Sequence, residues 1–130
     1  MTIIEFLEAR IAEDEEAARA AAWQDCGWEA RGDSVCETLS FGADCIARCD
    51  ESEEAAHIAR HDPARVLAEC AAKRRILAMA DGSADFQKAM PRPGYAQPFH
   101  SPSIDILMMT ARLLASVYAD HPDYWQEWAA

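Results

Sequence analysis

His57 and His61 stand four residues apart in AAHIARHDPARVLAECAAKRRIL, residues 55–77. On a helix that spacing puts both imidazoles on one face, the arrangement by which a helix offers two nitrogens to zinc. A tetrahedral site needs two more ligands. His121 with Asp120 or Asp123 could supply them from the tail. Cys45 and Cys49 could instead supply them from the preceding segment, giving C-x3-C-x7-H-x3-H. The central spacer of that pattern is shorter than the roughly 12 residues of an ordinary finger. No Glu follows His57, so the HExxH pattern of metalloproteases is absent. The expectation is therefore two structural histidines and no cofactor, with His61 at a helix C-terminus, where an imidazolium suits the dipole. The alternative is a zinc site, or a metal-dependent hydrolase, using His57, His61, His121 and Asp120.

Other chemistries find less support. The five cysteines, at 26, 36, 45, 49 and 70, are an odd number. Glu5, Glu8 and Arg10 interrupt the apolar run a secretion signal would need, so reduced thiols in a cytoplasmic protein are expected. G-x-S-x-G, P-loop and G-x-G-x-x-G patterns are all missing, and carboxylates are too plentiful to single out a pair. The chain is not expected to be an enzyme. The side chains best suited to recognition are Tyr124 and Trp125 in the tail, and Arg74 and Arg75 in a basic cluster with Lys73, because Trp, Tyr and Arg dominate interface hot spots. Within the tail, Tyr124 and Trp128 are expected to close the core and Trp125 to stand outside it.

These residues must be positioned by helices. Thr2 and Glu5 form a capping box for a helix over 2–22, with Ile3, Ile4, Leu7, Ile11, Ala18 and Ala22 on its buried face. Residues 23–49 carry Gly, aromatic and β-branched residues around the turn signal Arg31-Gly32-Asp33-Ser34. They read as a β-hairpin region with a third strand at Cys45–Cys49. Ser52 is the expected cap of a helix over 52–61. Asp62-Pro63 then restarts the chain as a helix over 63–79, since Asp is a strong N-cap and Pro suits the first helical position. Its expected buried stripe is Val66, Leu67, Cys70, Ile76 and Leu77. Four prolines and two glycines make 80–102 a loop, which Phe86, Tyr95 and Phe99 would pin to the body. Ser103 would cap a helix over 103–118 that buries Ile106, Leu107, Leu113, Leu114, Val117 and Tyr118. Pro122 would open a short terminal helix over 122–129. The whole is one compact helical domain, 1–130, mainly α with a minor antiparallel β hairpin or small sheet (α+β).

The 130 residues carry a formal charge of −11, unevenly spread: 16 acids against 5 bases in 1–62, but 3 against 6 in 63–102. A surface this acidic would repel nucleic acid, so direct nucleic-acid binding is not expected. No apolar run approaches the roughly 20 residues of a membrane span.

Three blocks, IIEFLEARIAEDEEAARAA, HIARHDPARVLAECAAKRRIL and YADHPDYWQEW, together resemble a family of small proteins of unknown function from high-GC Gram-positive bacteria and their phages. The resemblance implies a bacterial or phage origin and brings no activity, substrate or cofactor. The leading functional expectation is a small acidic cytoplasmic protein that acts through a protein partner, as a phage or accessory modulator would, with homodimerisation a further alternative. An acidic mimic of nucleic acid is the other alternative. It requires the acids of 13–16 and 50–54 to share one face.

Overall fold

The computed structural model describes residues 1–22, 26–39, 45–81 and 102–129. Among these residues the chain forms four α-helices and one three-stranded antiparallel sheet, the α+β class expected. Its contacts gather into two compact units, Met1–Ala12 with Ala72–Ala130, and Glu13–Ala71. The divisions fall inside two helices, α1 (Ile3–Ala21) and α3 (Pro63–Asp81).

The first turn of α1 is closed by the capping box. The Thr2 N–H donates to Glu5 Oε2 at 2.6 Å, and the Glu5 N–H donates to Thr2 Oγ1 at 3.2 Å. The bond from the Thr2 backbone, and then the Thr2 side chain, hold the Glu5 carboxyl below its ordinary value. Ile3, Ile4, Leu7, Ile11 and Ala18 are buried as their spacing predicts, but so are Phe6 and Arg10.

In the Glu13–Ala71 unit, β1 (Trp28–Arg31), β2 (Ser34–Glu37) and β3 (Cys45–Arg48) pair in sequence order. Arg31 pairs with Ser34, leaving Gly32-Asp33 as a two-residue turn. Gly32 has φ of 63°, the left-handed backbone that the primed hairpin turns require at this position. The Arg-Gly-Asp-Ser string is thus a turn. α2 (Ser52–Arg60) lies against β1 and β2 with Ala55 buried. Its N-cap is Glu51, not Ser52: the Glu54 carboxylate accepts from the Asp50 and Glu51 N–H groups, so the reach-back by Glu54 sets the start one residue earlier.

The junction at 61–63 is as expected. His61 ends α2, and Asp62 Oδ1 accepts from the Arg65 N–H at 2.8 Å, capping α3 at Pro63. The other carboxylate oxygen of Asp62 accepts from the Trp28 N–H at 3.3 Å, tying the start of β1 to the start of α3.

In the other unit, α3 continues to Asp81, past the expected end at 79, with Leu77 and Ala80 buried. α4 spans Pro102–Ser116, so Ser103 is inside the helix rather than its cap, and Pro102 takes the first helical position that suits it. Turns occupy 117–123, and the terminal helix shrinks to a single 3-10 turn, Gln126–Trp128. Pro122 therefore sits in a turn and opens no helix. Residues 23–25, 40–44, most of the Pro-rich segment with Phe86, Tyr95 and Phe99, and residue 130 lie outside the described residues. No helix among the described residues is long and apolar enough to cross a membrane.

Candidate functional site

The tail is organised around Phe6, one of the two α1 side chains that the sequence pattern did not mark as core. Phe6 is fully buried and meets four rings: Tyr118, His121, Tyr124 and Trp128, at centroid distances of 6.3, 5.8, 6.1 and 5.0 Å. Three of the four stand edge-on, the geometry that matches a ring's positive edge to its neighbour's negative face. One helical turn on, the Arg10 guanidinium lies 5.4 Å over the Phe6 ring, a cation–π contact. Its Nη1 touches both nitrogens of His121, with Nδ1 at 2.7 Å, and stands 3.9 Å from Asp123 Oδ2. The Asp123 N–H also points at His121 Nδ1, at 3.1 Å. The Arg10 guanidinium and the Asp123 N–H thus converge on Nδ1. His121 is engaged by Arg10. Asp120, its neighbour, lies in an exposed turn.

Tyr124 and Trp128 are buried, as expected, whereas Trp125 is 49% exposed and stacks flat on Trp128 at 5.3 Å. Of the two aromatic candidates for partner binding, only Trp125 offers its ring to solvent. Arg75 is exposed and Arg74 half-buried, and beside them Lys73 Nζ lies 5.9 Å over the Tyr118 ring.

α4 presents the largest departure from the expected core. Its buried residues are Ile104, Ala111 and Ala115. Ile106, Met109 and Leu113 within it, and Val117 just past its end, are 67, 50, 55 and 72% exposed. Their spacing of three, four and four places them in one stripe along the helix. The expected burial of Ile106, Leu113 and Val117 is therefore corrected. The alanine side packs inward because a small side chain lets the helix approach closely, and the bulky residues are left outside.

In the Glu13–Ala71 unit, His57 and His61 do share one face of α2, with ring centroids 4.7 Å apart, and both are exposed. An open groove beside them is lined by Arg48, Cys49, Asp50, Glu53, His57 and Ile58. The carboxylate of Glu54, which also borders it, is taken up by the start of α2. His121 and Asp120 belong to the other unit. No group of three or more His, Cys, Asp or Glu among the described residues is placed to hold a metal ion. The cysteines make a closer pair elsewhere. Cys36 and Cys45 face each other across β2 and β3 with their sulfurs 3.2 Å apart.

A family model described as Family of unknown function (DUF6221) matches residues 1–130. The chain belongs to this family. No curated protein and no solved structure matches it. DUF6221 membership agrees with the three blocks read in the sequence, and those blocks supply Phe6 and Arg10, His57 to Asp62, and His121 to Trp128. Phe6 and Arg10 were legible in principle. They continue a three-then-four spacing from Ile3, but a charged residue on an apolar stripe breaks the pattern by which such stripes are recognised.

Proposed function

We propose that this DUF6221 chain acts by binding another protein, with the outward face of α4 as the contact surface and the rest of the fold as its scaffold. The observation that carries this reading is the stripe of Ile106, Met109, Leu113 and Val117, four large apolar side chains each at least half exposed. Singly exposed apolar residues are ordinary, but a contiguous helical stripe is the form in which an amphipathic helix is laid into a partner's apolar groove. Trp125, exposed and held flat by Trp128, is a rigid aromatic of the kind that anchors interfaces. The acidic balance of the chain favours a partner whose groove has a basic rim. An accessory or phage-encoded modulator in the cytoplasm fits this description.

The nucleic-acid mimic is less well supported, because several of its acids have local work. Glu54 caps α2, and Glu15 pairs with Arg19. The zinc reading has one observation in its favour, the adjacent rings of His57 and His61. Stoichiometric zinc in the purified protein, lost in His57→Ala and His61→Ala, would promote it.

The binding reading is tested by placing a photo-crosslinking amino acid at Leu113 or Val117 in the native cell, with Glu53 as an exposed control. A discrete intermolecular adduct is expected from both stripe positions, absent from the control and abolished by Met109→Glu. An adduct confined to the same chain, or none above the control, overturns the reading. A homodimeric adduct would identify the partner as a second copy.

A further inference from the structure

We propose that Cys36 and Cys45 form a redox-active dithiol, an oxidant-responsive site that closes to a disulfide across β2 and β3. The two residues are paired directly opposite each other in the antiparallel ladder. Opposed residues in such a ladder have Cα atoms about 4.5–5.5 Å apart, inside the span a disulfide accepts. Their sulfurs already stand 3.2 Å apart, so closure to the bond length of about 2.05 Å needs only a small side-chain rotation. The register shifts between Val35 and Cys36, where Ile46 is the extra residue of β3 beside this pair. Such bulges twist a strand locally and re-aim its side chains.

The two thiols are not equivalent, and the difference assigns their roles. Cys45 is exposed, whereas Cys36 is buried in the central strand. The hydrogen bond with Cys45, and then burial, push the Cys36 thiol above its ordinary value, so Cys36 keeps its proton while Cys45 meets the solvent. With hydrogen peroxide as the oxidant, the Cys45 thiolate attacks one peroxide oxygen. The O–O bond breaks, and hydroxide leaves and takes up a proton as water. Cys45 is then a sulfenic acid. Cys36 gives up its proton as its sulfur attacks Cys45 Sγ, the S–O bond breaks, and a second water leaves. The sulfur pair has lost two electrons, and the peroxide has gained them. A dithiol reductant reverses the reaction by thiol–disulfide exchange.

Oxidation of the folded, full-length, reduced chain with hydrogen peroxide tests the proposal. Trypsin cleaves after Arg31 and Arg48 and leaves both cysteines in one peptide, residues 32–48. That peptide is expected to lose the mass of two hydrogens and its reactivity to iodoacetamide, and to regain both with dithiothreitol. Cys45, exposed and beside its partner thiol, should be consumed faster than the half-buried Cys49, which follows the same strand. Cys36→Ser should accumulate a Cys45 sulfenic acid that dimedone traps, and Cys49→Ser should leave the disulfide unaffected. Because Cys36 is buried and its variant could lose stability, the wild-type peptide map is the deciding measurement. Bonds to Cys26 or Cys49 in place of the 36–45 bond, or equal yields from folded and urea-unfolded chains, overturn the proposal.

Discussion

Asp62 shows how one side chain serves two elements. One oxygen caps α3 through the Arg65 N–H, and the other takes the Trp28 N–H at the start of β1. Loss of an Asp cap costs about 1 kcal/mol, and a half-buried N–H stripped of its acceptor adds a similar amount. Asp62→Ala is therefore expected to cost about 2 kcal/mol in urea unfolding, and Asp62→Asn about half of that, because the amide oxygen keeps one of the two bonds while the NH2 cannot accept the other. Equal losses in both variants would show that an uncharged acceptor oxygen replaces neither bond. The two histidines preceding this aspartate differ from it. Their shared face was legible from spacing alone, and they remain exposed.

Among the elements, α4 offers the sharpest comparison. Leu113→Glu, on the exposed stripe, should change stability by less than about 0.5 kcal/mol. Ala111→Leu, on the buried side, should cost roughly 1–3 kcal/mol by overpacking. A reversal of that order in denaturant melts would mean the helix is turned the other way. The sequence could not choose between these faces, because ILMMTARLLASV is apolar nearly all round and its pattern has no single phase. The bulk of leucine and isoleucine pointed to the wrong side, whereas the alanines permit close approach. The 61–63 junction was legible because Asp-Pro acts locally, through one cap and one fixed φ. The hairpin was legible for the same reason, through Gly32. The terminal helix was misread because Pro122 suits a turn as well as a first helical position. The thiol pair was invisible, since its pairing depends on the register between β2 and β3 and no spacing rule gives that.

For the whole molecule, the tail is structural as well as exposed. Truncation after Tyr118 removes His121, Tyr124 and Trp128 from around Phe6, and takes His121 and Asp123 away from Arg10. Deleting a buried Trp side chain alone typically costs about 3–5 kcal/mol, a large fraction of the stability of an ordinary domain. A strong fall in melting temperature is expected, and an unchanged one would make the tail a free arm. The same Phe6 cluster also bears on synthesis. Phe6 is synthesised more than a hundred residues before its ring partners, which are numbered 118 to 128. The strands and α2, by contrast, find one another within Glu13–Ala71, an unbroken stretch. Contacts between distant parts of a chain are slow to form because they must overcome loop-closure entropy. Until those residues are made, α1 therefore carries an uncovered aromatic beside a cation that His121 has yet to meet. In that interval the growing chain is most open to chaperones and to mispairing.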